Sequence, residues 1–524
     1  MEEYLDDLGT AITLGSYEDI IALAHIGIEP AEMALAHYFA DPAAQAHDLT
    51  KAYYWYKQAA AKGSADNQYQ LALCYWEGKG TNQDDVAAYH FFEKAAVQSM
   101  AEAQFAVGRC YALERGVVQD ANEAFKWYHR AAMGSCAEAL YEVAQCYLTG
   151  EGTNYDPKES IYWMHQAADQ GITQAQYVIG RCYEIGRTFP QDYNQALSYY
   201  VQASSKGHPG AFYQLGRYYE KGLILKQNYT QAMECYKLAS EKGFPDAHYA
   251  LGRLYETGKG GKQDDRLTYV WYKEGAYLGC TPCLSALGRC YTEGIGVERN
   301  LSVALDYYQQ AAERGDVEGR YQIGCAYISG EIIQSNPKRG FQMLLLAAGQ
   351  NHALAQYQVA CCYAKGLGIP PSSTLAFEWY QKAAQQGVAE AQYQVGVYYR
   401  EGIAVESNLA EAFSWIKKAG EKGIVEATYW VACAYRQGMG IEADTYRTFE
   451  WYAKAATLGH VESMYMLGLH YEEGLGTIPK PHEAFIWYLA AAKAGHNLAR
   501  QAIARCYEQG IGVPRDPAIA ATWR

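Results

Sequence analysis

No stretch of this 524-residue sequence is apolar for long enough to cross a bilayer: runs such as Ile20 to Ala24 fall far short of the ~20 residues a helical span needs. A basic leader is missing as well. Glu2, Glu3, Asp6 and Asp7 stand where a secretory signal would place Lys or Arg ahead of an apolar stretch, so a cytoplasmic chain with no direct membrane insertion is expected. Positive charge is in short supply: 44 Lys and Arg against 58 Asp and Glu leave a net charge of -14, which argues against a phosphate-binding surface and so against nucleic acid as a partner. Charged residues make up 19% of the chain and hydrophobic ones 50%, a balance that excludes a disordered polymer.

Motifs that carry chemistry are also wanting. There is no Gly-x-x-x-x-Gly-Lys-Ser/Thr phosphate loop, and the glycine pairs at Gly78 and Gly294 are read as turn residues. The thirteen histidines, His90, His129, His165, His460 and His470 among them, are read as surface or groove residues sharing no register, and none forms a paired-histidine zinc helix. Cys74, Cys110, Cys146, Cys182, Cys290, Cys362 and Cys506 share one register, in which Tyr218, Ala326 and Ala434 also occur, as expected of a packing position. Cys280-Thr-Pro-Cys283 has the thiol spacing of a redox or zinc motif, but lacks both a strand-helix context and a second pair, and is read as packing plus turn. With no clustered nucleophile and base, no enzyme activity, cofactor or metal is expected.

What the chain does have is a repeat. Tyr75, Tyr111, Tyr147, Tyr183, Tyr219, Tyr255, Tyr291, Tyr327, Tyr363, Tyr399, Tyr435, Tyr471 and Tyr507 follow one another at intervals of 36 residues without a failure. A second register holds Trp55, Trp127, Trp163, Trp271, Trp379, Trp415, Trp451, Trp487 and Trp523. Small and apolar residues recur at three and four within each period, as in Ala211, Leu215 and Tyr219, so each unit is expected to be two antiparallel helices. Asp84, Asp120, Asp156, Asp192, Asp264, Asp444 and Asp516 share a register with Asn228, Asn300, Asn336 and Asn408, where the second helix needs an N-cap; Lys480 breaks the rule, with Pro481 in support. The tryptophan register is read as core, so that Trp415→Ala would cost about 3–5 kcal/mol.

The pattern Ala-x-x-x-Leu-Gly-x-x-Tyr, a Gly-rich turn, then Ala-x-x-Trp-Tyr-x-x-Ala-Ala resembles the Sel-one-like repeat (SLR) family, longer relatives of the tetratricopeptide repeat. The resemblance implies an all-α, right-handed superhelical α-solenoid of about thirteen 36-residue helix-turn-helix repeats. It spans a partial first repeat at 34–66, twelve full repeats at about 67–498 and a truncated last repeat at 499–524, behind an N-terminal helical cap at 1–33. It also implies a protein-protein interaction scaffold or adaptor; a dedicated effector or immunity-type binding protein would use the same groove. Cysteine-rich secreted relatives tie their helices with cysteine pairs, and no pairing register exists here, consistent with a reducing compartment. The last second helix stops after Trp523 and Arg524, before its Ala-Ala pair, so either a capping segment follows or this end forms a homo-oligomer contact.

If Ala211, Leu215 and Tyr219 face inward, the opposite stripe of each first helix lines a concave groove that would bind a protein or peptide. Its first segment carries Arg109, Arg181, Arg217, Arg253 and Arg289 on one register with Tyr177, Tyr213 and Tyr249, a ladder suited to carboxylates. Glu184, Glu220 and Glu256 follow three residues after their arginines, so internal bracing is the alternative. The second segment turns apolar at Cys325, Cys361, Val397, Cys433 and Leu469, beside Tyr357, Tyr393, Tyr429, Trp430, Tyr465 and Met466. It is suited to an apolar portion of a partner, or to burial by closure of the superhelix. Trp76 and Trp430 are the tryptophans that leave the core register for this stripe.

Overall fold

The computed structural model describes residues 17–524 apart from 45, 187, 188 and 332, with side chains from residue 20 onward. The expected cap at 1–33 therefore lies partly outside the described residues. Within it the helix Tyr17–His25 precedes Glu29–Ala40, which straddles the 33/34 boundary and pairs with Leu49–Ala60 as the first hairpin. The described residues form helices and connecting turns, and no strand occurs among them. The chain divides into two compact units, Met1–Gln263 and Asp264–Arg524, and in each of them successive helical hairpins pack side by side.

Local chemistry sets the helix boundaries. Asp120 is extended and its carboxylate accepts the backbone N–H groups of Asn122 and Glu123, starting the second helix Ala121–Met133; Asn228 does the same for Tyr229–Glu241. Lys480 provides no side-chain cap, and Pro481 at the first helical position begins that helix, as expected. Register tyrosines also close the turn after their own helices: the carbonyl accepts the N–H of the next N-cap residue, as in Tyr219 to Asn228 at 3.0 Å and Tyr363 to Ser372 at 2.9 Å. Gly116, with φ +74, is needed because a Cβ there would collide with the carbonyl oxygen of Asp85.

The deepest core residues are not the register tryptophans but the residues that follow them. Tyr200, Tyr236, Ile416, Tyr452 and Tyr488 are each 0% exposed, whereas Trp379, Trp415, Trp451 and Trp487 are half-buried. The outer face of the tryptophan is covered by a basic side chain one turn on: Lys382, Lys418 and Lys454 sit 4.0, 4.2 and 4.8 Å from the centres of Trp379, Trp415 and Trp451. The buried ring presses on the first helix of its own hairpin. A Cβ on Gly216 would stand 2.5 Å from Tyr236, and one on Gly468 would stand 2.5 Å from Tyr488, so the Leu-Gly step permits close approach as expected.

Between hairpins the register tyrosine clasps an aromatic ring of the preceding second helix. Tyr147 meets Phe125 at 5.3 Å and 84°, and Tyr435 meets Phe413 at 5.2 Å and 86°, edge-to-face geometry that matches ring quadrupoles. Tyr75 adds a hydrogen bond between its hydroxyl and that of Tyr53 at 2.9 Å.

Four of the thirteen histidines do share a register, contrary to expectation. His208, His352, His460 and His496 all immediately precede a first helix, and in each Nδ1 accepts a backbone N–H three residues on, from Ala211, Ala355, Ser463 and Ala499 at 3.1–3.2 Å. On the far side of the ring, Nε2 reaches back 34 residues to Gln174 at 2.7 Å, Glu318 at 3.3 Å and Glu462 at 2.9 Å for His208, His352 and His496. The rings stack on Tyr177, Tyr429 and Tyr465 at 4.2–4.6 Å for His208, His460 and His496. A neutral ring is required, because Nδ1 must keep its lone pair to cap.

Two outcomes follow from this packing. Ile416→Ala is expected to cost about 2–5 kcal/mol and Trp415→Ala less, below the about 3–5 kcal/mol that its register position suggests, as read from urea unfolding midpoints by circular dichroism. Burial holds the His208 and His460 imidazoles below their ordinary range, for His460 against the opposing pull of Glu426 and Glu462. Their capping contribution is complete above the unfolded value of about 6.5 and is lost as pH falls below it. Melting temperature should therefore drop from about pH 7.5 to about pH 5.5, and by less in His208→Asn/His460→Asn, which caps without titrating.

Candidate functional site

The stripe of each first helix is held by the hairpin beneath it. In Pro209–Lys221, Ala211 and Leu215 are buried, while Tyr213 and Arg217 lie half-buried on the other side. Tyr213 leans on Phe244 at 5.0 Å. Tyr249 and Arg289 are half-buried in their respective units.

Arg217 and Arg253 pair with carboxylates of the preceding hairpin, Glu184 and Glu220. Glu184 accepts the Tyr200 hydroxyl at 2.6 Å through Oε2 and Nη1 of Arg217, from the next hairpin, at 3.1 Å through Oε1. Glu220 joins Tyr236 and Arg253 in the same way, and Glu472 joins Tyr488 at 2.7 Å and Arg505 at 2.6 Å. Each carboxylate thus ties the second helix of its own hairpin to the first helix of the next. The buried tyrosine hydroxyl takes one side of the carboxylate, and the arginine 33 residues on reaches it from the neighbouring helix. Arg181 and Arg109 have no such carboxylate, because the residue 33 positions back is Leu148 and Trp76 respectively. Arg181 reaches the Tyr177 hydroxyl at 3.4 Å, and Arg109, exposed, lies over Trp76 at 5.6 Å.

Around Trp76 the N-terminal unit opens a cavity of about 310 Å³. Tyr69, Leu73, Phe92 and Phe105 form its apolar walls, and Glu102, Arg109, Cys136 and Glu138 its polar edge. Sequence reasoning singled out Trp76 and Arg109 and missed the others. Tyr69 and Phe105 continue the register of Tyr177 and Tyr213 backwards, and Glu102 and Glu138 lie on a carboxylate register shared with Glu318, Glu390, Glu426 and Glu462.

In the C-terminal unit the stripe is apolar, as expected. Tyr393, Val397, Tyr429, Trp430, Tyr465, Met466 and Leu469 are half-buried on successive first helices. In two of its hairpins thiols replace carboxylates as partners of the buried tyrosines: Tyr380 donates to Cys361 at 3.5 Å, and Tyr452 lies 3.6 Å from Cys433. Tyr429 and Tyr465 are backed by His460 and His496 as described above, which fixes their rings at the surface.

The thiols elsewhere are poor nucleophiles. Burial pushes Cys74 and Cys506 up to about 11 and Cys110 up to about 12, so they are protonated near neutrality. Cys280 and Cys283 are buried, one at the mouth and one inside the first helix Thr281–Glu293. Among the described residues no group of three His, Cys, Asp or Glu is placed to hold a metal ion, and no helix is long and apolar enough to cross a membrane.

This arrangement defines a class, the α-helical repeat solenoid. The Sel1 repeat pattern matches fourteen successive segments, beginning 30–64, 67–98 and 101–136 and ending 461–496 and 497–523, and the chain belongs to the Sel1 repeat family. Solenoids of this kind are generally protein-interaction scaffolds and typically non-catalytic. The chain is similar to c5321, a protective antigen of uropathogenic Escherichia coli strains displaying an SLR fold, at 27% identity over 87% of this chain and 97% of that one, with a TM-score of 0.64. A Sel1 repeat protein from Oxalobacter formigenes is 27% identical over 59% of this chain and 90% of its own, with a TM-score of 0.44. The immunity protein Pa5087 from Pseudomonas aeruginosa is 21% identical over 42% and 83%, with a TM-score of 0.26. No curated protein matches the chain.

The joint at Glu184 should be measurable. A double-mutant cycle of Arg217→Ala and Glu184→Gln, read by urea unfolding, is expected to give a coupling of about 0.5–3 kcal/mol, whereas Arg109→Ala with Glu184→Gln should be close to additive.

Proposed function

We propose that the chain is a protein-interaction scaffold or adaptor that receives a partner polypeptide on the stripes of its first helices. The single observation that carries the reading is the apolar stripe of Tyr393, Tyr429, Trp430, Tyr465 and Met466, half-buried on successive first helices, with the Tyr429 and Tyr465 rings held at the surface by His460 and His496. Aromatic anchors of this kind dominate interface energetics. In the N-terminal unit the contacts are assigned to Arg109, Arg181 and Tyr213, with Tyr249 at its end and Arg289 on the first stripe of the other unit. Arg217 and Arg253 serve the same site by bracing one helix against the next, since their guanidinium groups are already engaged by Glu184 and Glu220.

The test is affinity capture with the full chain, followed by binding measurements on the recovered partner. Tyr393→Ala/Trp430→Ala should weaken binding by ~10-fold or more with little dependence on salt. Recovery of the same polypeptides in the same amounts by this variant, with unchanged affinity, would overturn the reading.

A further inference from the structure

The cavity beside Trp76 exists where the chain departs from its own repeat chemistry. Beside the hairpin that begins with the helix Val317–Ser329, the His352 ring covers Tyr321 at 4.8 Å, tilted by 39°, and its Nε2 lies 3.3 Å from Glu318. In register, Phe105 stands for Tyr321, Glu102 for Glu318 and Cys136 for His352. The backbone at the two ring positions is nearly the same, with φ -70 and ψ 115 at Cys136 and φ -75 and ψ 114 at His352. Only the side chain differs. The thiol is too short to cover Phe105 or to reach Glu102 as the ring does, and Cys136 accordingly lines the cavity together with both. One hairpin on, Ile172 occupies the ring position, so Glu138 also lacks the imidazole donor and takes only a weak contact from the Cys136 thiol at 3.6 Å. Both carboxylates are exposed, and neither is in an ion pair among the described residues.

We propose that this cavity is a pocket for an arginine side chain of the partner polypeptide. The inference rests on the scaffold reading above and names the chemistry its N-terminal unit recognises. A guanidinium reproduces both imidazole contacts and, with five N–H donors in one plane, can lie flat on the Phe105 ring while serving Glu102 and Glu138 together. Its aliphatic stem would cross Tyr69 and Leu73. The wall behind it is rigid: Arg115 lies 3.4 Å from the centre of the Trp76 ring, held by Asp85 at 2.5 Å and by the Trp76 carbonyl at 2.8 Å. Arg109 also lines the cavity, seven residues along the helix from Glu102, and among the described residues it forms no ion pair with Glu102 or Glu138, so both carboxylates are left to an incoming cation.

A random peptide library displayed on phage, panned on the full-length protein, tests this. Enriched peptides should retain an arginine whose replacement by alanine weakens binding at least ~10-fold. The same loss is expected in Glu102→Gln/Glu138→Gln. Cys136→His should abolish binding of these peptides by supplying the protein's own ring to Phe105 and Glu102, while its melting temperature stays at or above that of the parent. Glu390→Gln/Glu426→Gln, which removes the same charge from the other unit, should leave these peptides bound. Peptides that lack a required basic residue, or whose affinity is untouched by Cys136→His, would overturn the pocket. If such peptides lose affinity in Tyr393→Ala/Trp430→Ala, the scaffold reading survives that result. If the library yields no peptide that any of these variants affects, both readings fall.

Discussion

Everything in this molecule depends on how closely two helices can approach within one hairpin. A buried ring, such as Tyr236 or Tyr488, lies directly against the backbone of the first helix at Gly216 or Gly468, where a single added carbon would stand within 2.5 Å of the ring. That approach fixes the hairpin as a rigid wafer. A wafer alone leaves apolar faces uncovered, so its neighbours must supply the rest of the core, and identical wafers stack with an identical step.

The equal step explains why contacts recur at fixed sequence offsets. The edge-to-face pair made by a register tyrosine such as Tyr147 or Tyr435 spans 22 residues, the carboxylate-arginine joint 33 and the Nε2 contact of a capping histidine 34. None of these is a helix-internal spacing. They measure the distance from a point on one wafer to the matching point on the next. The carboxylate of Glu184 shows how the layers combine: one oxygen belongs to the tyrosine core of its own hairpin and the other to the following helix. A part-buried charge is tolerable in such a place because both oxygens have donors.

Much of this was legible in the sequence, since periodicity, caps and turn glycines are local signals. Asp120, Asn228 and Pro481 act where their residue types predict. Depth was harder to read. Trp415 and Ile416 are adjacent, and helical periodicity does not say which of two neighbouring apolar residues faces the partner helix; the answer came from Lys418, which covers the tryptophan from outside. Partner choice was harder still. Glu184 sits three residues after Arg181, a spacing that suggests a pair within one helix, yet the tyrosine beneath it turns the carboxylate toward the next hairpin. The histidine caps were missed because four of them are spread over nine repeats, with Phe244, Cys280, Asp316, Val388 and Ile424 at the same position in between.

Regularity of this kind turns each repeat into a reference for the others. Where a position changes and its partner changes with it, the scaffold has exchanged one bond for another. Cys361 and Cys433 take up tyrosine hydroxyls equivalent to those that Glu184 and Glu220 accept elsewhere, and the core is preserved. Where a position changes and its partner does not, a half-contact is left at the surface with its geometry already set by the neighbouring repeats. Glu102 and Phe105 retain their register while Cys136 does not. Recognition in a solenoid therefore need not be built on an added loop or insertion. It arises when one side chain is withheld from an otherwise complete lattice of internal pairs, so that the groups left behind are pre-oriented for whatever restores the pair.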